Sequence, residues 1–309
     1  MASLLSRRPF LTTATSLTVL ASTYYISRPQ PLQLDSASNA PTQTLSFPKN
    51  MLFSKQLRVT SVEQVNHDTK RITFAIPGGV NEISGVTPGA AILTQHTPAG
   101  GWFPVFRPYT PIHNLDERGV LELLVKKYPN GKASTHMHSL EPGQELTVRG
   151  PLPGSWTVPK DQRDILLVAG GAGITPIYSL TKGILSNPDD KTRIQLLWGV
   201  NGTRDIVLKS ELEELEKQYP DRLHVTYAVS GPEAKADAPS LGDESKYRKG
   251  YVDKALLQEA IEQCQKGNWG NEKGQKVFLC GPPKMEDAIA GKQGVLAELG
   301  VQKKEVHRF

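Results

Sequence analysis

The feature that most constrains the fold is the stretch Asp164-Ile165-Leu166-Leu167-Val168-Ala169-Gly170-Gly171-Ala172-Gly173-Ile174-Thr175-Pro176. A charged residue opens it, five apolar residues follow without interruption, and three glycines then lead into a Thr-Pro pair. A short apolar run bounded in this way reads as a strand buried in a parallel sheet. The glycines let the chain turn sharply and let its backbone approach a ligand with no Cβ in the way. Thr175 and Pro176 fall where a helix begins, Thr as a cap and Pro in the first turn. Strand, glycine turn and helix start together make a seat for a pyrophosphate. Taken alone, the stretch also fits a tight strand-to-helix turn that binds nothing.

The chain around it divides by pattern. From Arg163 onward strands alternate with helices: strands at 193–200, 223–229 and 276–280, and helices running to Leu185, over 209–219 and over 254–264. That alternation predicts a parallel sheet covered by helices on both faces, with ligands outside the carboxyl ends of the strands. Gly170 to Thr175, Val200 to Asp205 and Cys280 to Pro283 all fall at such ends. Upstream, residues 56–62, 70–76, 121–125 and 145–148 are strand-length runs separated by Gly and Pro, which indicates a small antiparallel barrel or sandwich. Arg149-Gly150-Pro151-Leu152-Pro153-Gly154 reads as the junction, leading into a linker that ends near Lys160. The Glu-rich helices and the lysines around 246–254 read as solvated faces.

Four motifs stand in order along this plan: Arg107-Pro108-Tyr109-Thr110, Gly131-Lys132-Ala133-Ser134-Thr135, the glycine turn, and Cys280-Gly281-Pro282-Pro283, with the chain stopping on Phe309. Their order and spacing resemble the ferredoxin reductase-like flavoproteins, most closely the NADH-cytochrome b5 reductases and their fungal mitochondrial branch, over residues 52–309. The resemblance implies two domains: an antiparallel six-stranded β-barrel for FAD over 52–159, then a Rossmann-like α/β parallel sheet for NAD over 160–309. It implies an enzyme that takes a hydride from NADH onto FAD and passes single electrons to a haem protein of the cytochrome b5 type.

The residues suit the roles the resemblance assigns. Arg107 offers a charged planar fork for phosphate, Tyr109 a flat face for the flavin or its ribityl chain, and Pro108 stiffens the segment between them. Without the resemblance this segment is an exposed strand edge. The family places the Thr110 hydroxyl close to the flavin N5. Gly131, Lys132, Ala133 and Ser134 correspond to the helix start that holds the FAD diphosphate through backbone amides. Lys126 and Tyr128 match positions lining the FAD. Gly170, Gly171, Gly173, Thr175 and Pro176 correspond to the NAD pyrophosphate seat. Asp205 corresponds to the acid that favours NADH over NADPH, although Asp before Ile206-Val207-Leu208 also fits a helix start, and Arg204 beside it suits a phosphate. Cys280, with Gly281 and Pro282 shaping the pocket, sits near nicotinamide and flavin in the family and orients hydride transfer without a covalent bond. As a bare sequence feature it is a small apolar filler. Phe309 resembles the family's terminal aromatic. The expected catalytic residues are therefore Thr110, Cys280 and Phe309.

The chain departs from the family at Ala133, often Met; at Ala172, commonly Thr; in Gly154-Ser155-Trp156; and in ending Arg-Phe rather than Lys-Phe. These departures leave room for a mitochondrial flavoprotein that reduces haem during cytochrome c maturation; a flavin-free scaffold of the same fold is a second alternative, which the retention of Arg107, Tyr109, Thr110, Cys280 and Phe309 disfavours. His136 and His138 stand two apart, but no Cys or carboxylate lies at ligand spacing beside them, so no metal is expected.

Charge speaks to partners. Of a formal net charge of +5, residues 1–50 hold Arg7, Arg8, Arg28 and Lys49 against Asp35, which leaves 32 basic and 30 acidic residues for the rest. A balanced body is no footprint for nucleic acid. Residues 1–29 carry an Arg pair, many Ser and Thr and no acid, the composition of a mitochondrial presequence. The uncharged stretch 11–26 falls short of the ~20 residues that span a bilayer. It reads as a cleaved presequence, a retained marginal anchor, or a secretory signal, the last disfavoured because Cys264 and Cys280 are the only cysteines. Residues 30–51 read as a linker. A monomer at a mitochondrial membrane is expected, inner or outer, with a processed intermembrane-space form as one outcome.

Overall fold

The computed structural model describes residues 42–43, 53–152, 154, 156, 158, 163–235, 246–269, 274 and 276–309. The expected targeting label, most of the expected linker, and Pro153 and Ser155 at the junction lie outside them. Residues from Pro41 to Phe309 form one compact unit.

The first half of that unit holds β1 (Thr42–Gln43), β2 (Lys55–Gln64), β3 (Thr69–Ala75), β4 (Glu82–Ile83), β5 (Ile92–His96), β6 (Val105–Tyr109), β7 (Val120–Lys126), α1 (Lys132–Ser139) and β8 (Glu145–Arg149). Strands β1 and β4 pair with each other in parallel. The other six form an antiparallel sheet in the order β6-β5-β8-β2-β3-β7. Alternation sends Leu57, Val59, Ile72, Phe74, Leu121, Leu123, Leu146 and Val148 inward, where Met137 and Leu140 join them. Within the described residues β6 pairs only with β5 and β7 only with β3, so the expected barrel is a curled half-barrel open along one side. Helix α1 packs against both open edges.

The second half is a parallel sheet in the order β12-β11-β10-β9-β13-β14. Its strands are β9 (Asp164–Gly170), β10 (Arg193–Val200), β11 (Leu223–Val229), β12 (Tyr247–Lys249), β13 (Val277–Cys280) and β14 (Val306–Arg308). Its helices are α2 (Ile174–Ser186), α3 (Lys209–Gln218), α4 (Lys254–Gln265), α5 (Pro283–Ala290) and α6 (Val295–Glu298). Strand β9 is buried throughout, as its apolar run demands. Ile165, Leu167 and Ala169 pack into one core with residues of α2 and α3, while Leu166 and Val168 pack into another with residues of α4, α5 and α6. The first of these cores also takes in Ile112 and Leu124 from the antiparallel half, so burial continues from one half to the other.

Polar clamps hold the sheet's lower edge and the junction. Asp164, 6% exposed, accepts from Arg193 Nε at 2.6 Å and Nη2 at 2.9 Å and from the Asn268 backbone N–H at 2.7 Å. The two parallel N–H···O bonds fix the register of β9 against β10 at its first residue. Trp156, noted above as a departure, meets Phe278 edge-on at 5.6 Å and donates to Asp190 Oδ2 at 2.9 Å. It pins the junction to the parallel half. Among the lysines around 246–254, Lys249 and Lys254 are exposed as expected, Lys254 pairing with Glu298 at 2.8 Å, while Lys246 is partly buried and pairs with Glu216 at 2.7 Å.

Candidate active site

The glycine turn meets the end of β13. Residues Gly171–Gly173 form a 3-10 turn that runs directly into α2. A Cβ on Gly173 would overlap the Cys280 carbonyl, so only glycine lets the two backbones pack. Gly171 takes φ +51°, and a Cβ there would meet nothing within 4 Å, so its bare backbone faces open space. Trp198, fully buried, donates from Nε1 to the Gly171 carbonyl at 3.1 Å and supports the turn from behind. One expectation is corrected. Thr175 does not cap the helix: α2 begins at Ile174 with Gly173 before it, and Thr175 Oγ1 donates back to the Ala172 carbonyl at 3.3 Å. The 3-10 turn has already entered the helix two residues earlier, which leaves the first amides without a side-chain cap. Pro176 lies in the first turn as expected.

Cys280, Gly281 and Pro282 follow β13 beside this turn. Burial pushes the Cys280 thiol up to about 12, and the Glu286 carboxylate adds to the shift. The thiol is neutral and a poor nucleophile. Glu286, which the sequence reading missed, is the brace of this corner. It is 9% exposed, accepts from the Gly281 N–H at 3.0 Å through Oε1, and accepts from Arg308 Nε at 2.9 Å through Oε2. Arg308 also reaches Asp287 at 3.0 Å. The Arg-Phe ending therefore ties the last strand to the Cys280 corner, and Phe309 donates its N–H to the Leu279 carbonyl at 3.2 Å. The Phe309 ring crosses to the antiparallel half, where a methyl on Gly89 would lie 3.2 Å from it.

On the antiparallel half, Arg107, Pro108 and Tyr109 lie on the open-edge strand β6, with Thr110 buried just past its end. Arg107 is exposed, and its Nη1 donates to its neighbour's carbonyl, that of Phe106, at 2.7 Å. Burial pushes the Tyr109 phenol up to about 12, with Arg107 opposing and Tyr128 adding. Burial likewise raises Tyr128, on which Lys126, Asp68 and Cys280 also act. Tyr128 thus lies within electrostatic reach of both Tyr109 and Cys280. Helix α1 starts after Gly131 with no side-chain cap. Lys132 is exposed and Ala133 is buried, so position 133 packs inward. The Ser134 hydroxyl is not turned outward: it donates to the Gly131 carbonyl and accepts from the Tyr128 N–H, both at 3.2 Å. His136 and His138 do not converge. His136 stacks on His96, and His138 Nε2 meets the Val125 carbonyl at 2.8 Å.

Between the two halves lies a cavity lined by Thr69, Leu124, Lys126, Gly171, Thr175 and Asp205, among others. Asp205 Oδ2 accepts from the Gly202 N–H at 3.1 Å, so the carboxylate braces its own turn. Its Oδ1 is buried without a hydrogen-bond partner, 3.7 Å from both Lys126 Nζ and His67 Nε2. Burial works against the Lys126 charge, but Asp68 at 2.9 Å restores it and raises its pKa above the ordinary lysine value. His67, Asp68 and Asp205 are the one metal-spaced group among the described residues, and the Lys126 ammonium offsets one of its two carboxylate charges.

These residues fit the two cofactors that the resemblance implies. The exposed arginine and half-buried tyrosines of the open edge, beside an uncapped helix start, suit a flavin nucleotide. The bare backbone of the glycine turn, a second uncapped helix start and the Asp205 oxygen that lacks a hydrogen-bond partner suit a pyridine dinucleotide.

Comparison with known proteins agrees. The profile of the oxidoreductase FAD-binding domain matches residues 56–157, and that of the oxidoreductase NAD-binding domain matches residues 167–291. NADH-cytochrome b5 reductase 2 of Chaetomium globosum is 42% identical over 264 residues, covering 82% of this chain and 71% of that protein. The protein of the same name from Pyricularia oryzae is 38% identical over 280 residues, covering 87% and 78%. Among solved structures, the cytochrome b5 reductase domain of Ulva prolifera nitrate reductase superposes with a TM-score of 0.68 at 28% identity, covering 87% of this chain and all of that one. The CS-b5R domains of human Ncb5or share the fold, with a TM-score of 0.65 at 24% identity, covering 83% of this chain and 69% of that one. The chain belongs to the NADH-cytochrome b5 reductase family of FAD- and NAD-binding oxidoreductases.

Proposed function

We propose that the chain carries electrons from NADH through FAD to a haem protein of the cytochrome b5 type. The observation that carries this reading is the meeting of the glycine turn, the neutral Cys280 and the terminal Phe309 at one corner of the parallel sheet, with Tyr128 of the antiparallel half within electrostatic reach of Cys280. On this reading the FAD-binding part runs over 52–159 and the NAD-binding part over 160–309.

FAD, when bound, accepts a hydride from NADH and gives its electrons up one at a time; the protein supplies placement and electrostatics. Arg107 would hold the FAD phosphate, Tyr109, Thr110 and Tyr128 would line the flavin, and the amides after Gly131 would hold the diphosphate, with Lys132, Ala133 and Ser134 forming the helix turn. Gly171, Gly173 and the first amides of α2 hold the NADH pyrophosphate, with Gly170, Thr175 and Pro176 shaping the turn. Asp205 Oδ1 accepts from a ribose hydroxyl and disfavours a 2′-phosphate. Lys126, 3.7 Å away, tempers that preference. Cys280, Gly281 and Pro282 would wall the nicotinamide, and Phe309, at the same corner, would lie beside it.

The acceptor is tested by stopped-flow with purified full-length chain. NADH is expected to bleach the flavin band and the flavin then to reduce cytochrome b5 rapidly. Fast bleaching with a sluggish haem step contradicts cytochrome b5 as acceptor and points to free haem in cytochrome c maturation. No flavin band at all supports the scaffold reading.

Cys280 is a packing and orienting group, and its thiol stays protonated until the pH nears 12. Iodoacetamide is therefore expected to leave it unmodified at pH 8, and Cys280→Ala to slow flavin reduction by about tenfold without abolishing it. Rapid labelling at pH 8, or complete loss of turnover in the alanine variant, would refute this role.

The composition of residues 1–29 supports a mitochondrial membrane address. Fractionation of cells bearing a C-terminally tagged full chain should recover it with mitochondrial membranes or the intermembrane space. Recovery in the cytosol or the culture medium excludes that address.

A further inference from the structure

Two large side chains find no use in the site described above. Trp102 is 93% and Phe103 83% exposed, more than any other large hydrophobic among the described residues. Single exposed apolar residues are ordinary, but an adjacent indole and phenyl on one short loop leave a large flat area in water. That loop joins β5 to β6, and a turn from the Gly101 N–H to the Pro98 carbonyl at 2.8 Å shapes it. Its position is the informative part. Read backward along β6, Thr110 and Tyr109 come first, Arg107 next, then half-exposed Phe106, and finally Phe103 and Trp102.

The same loop is tied to the helix assigned to the diphosphate. His96, at the end of β5, pairs in the ladder with Val105, at the start of β6. Its ring stacks on His136 of α1, with centroids 4.3 Å apart and planes 3° from parallel. Burial lowers the pKa of both imidazoles, so two neutral rings lie flat on each other at the base of the hairpin. The loop and the start of α1 are therefore held in a fixed relation.

We infer that Trp102 and Phe103 form the adenine-binding end of the FAD site, stacking the purine while Arg107 and the start of α1 hold the diphosphate. The inference rests on the flavin reading of β6. With the flavin ring at Tyr109 and Thr110 and the diphosphate at Arg107, the adenosine half needs a place beyond the phosphate. Phe103 lies two residues before β6 and four before Arg107, so it stands at most about 13 Å from it along the chain, within the reach of a nucleotide. Purine faces stack on aromatic rings with little regard to sequence or substituent, and an exposed Trp-Phe pair offers such faces.

The test compares two flavins on full-length protein stripped of its cofactor. FAD and FMN share the isoalloxazine and the first phosphate, and only FAD carries adenosine. In the Trp102→Ala/Phe103→Ala double variant the FAD dissociation constant, read by fluorescence titration, should rise at least about tenfold while that for FMN stays unchanged. Trp102→Phe/Phe103→Tyr should restore FAD binding. Unchanged FAD affinity overturns the inference; if the double variant then also loses affinity for anionic phospholipid vesicles, the pair is a membrane contact instead. An equal loss for FAD and FMN overturns it as well, because the hairpin would then act through the half-barrel. Failure of the unmodified chain to bind either flavin would refute the flavin reading itself.

Discussion

A contact between two backbones orders the rest of this structure. Gly173 lies so close to the Cys280 carbonyl that any side chain would overlap it, and β9 and β13 are neighbours in the sheet. The end of one strand becomes a phosphate-type turn, and the end of the next becomes the wall beside it. Because the register also sets β14 against β13, the last residue is carried to the same corner. Phe309 reaches Gly89 of the antiparallel half from there, so the terminal aromatic bridges the two halves. A parallel sheet with its ligands at the carboxyl ends makes this economy possible.

Electrostatics at the corner keep groups neutral or paired rather than reactive. Burial holds Cys280 as a thiol, and Glu286 spends both oxygens on the Gly281 N–H and on Arg308. Asp205 divides its carboxylate between the Gly202 N–H and the Lys126–His67 side of the cleft. No charged nucleophile is prepared, as suits a protein whose chemistry resides in bound cofactors.

The fold was legible wherever burial is two-sided or alternation is strong. Strands β9, β10, β11 and β13 announce themselves as apolar runs, and β2, β3, β7 and β8 by period or length. Strands β12 and β14, Tyr247-Arg248-Lys249 and Val306-His307-Arg308, are three-residue edges with solvent on one side, so their polar composition hides them. Strand β5 is diluted by Thr94, Gln95 and His96. The site was legible through its glycines, Arg107 to Thr110 and Cys280. Glu286 was not, because a glutamate in a first helical turn reads as dipole complement, and only the fold brings Arg308 to it. Thr175 was misread as a cap because a 3-10 turn that starts the helix early leaves no trace in residue type. Asp205 does not start the next helix, which begins at Lys209 after an uncapped Leu208; one of its oxygens braces its own turn and the other has no hydrogen-bond partner, which leaves room for the proposed ribose contact.

The central claim is that the Gly173–Cys280 contact sets the place where NADH meets the flavin. The direct measurement is anaerobic reduction of the flavin by NADH in full-length Gly173→Ala protein. With FAD retained at unmodified occupancy, the account predicts that NADH bleaches the flavin at least about tenfold more slowly, because the added methyl pushes the glycine turn off the Cys280 carbonyl. Bleaching at the unmodified rate would show that the two strand ends need not pack backbone to backbone, and would contradict the account.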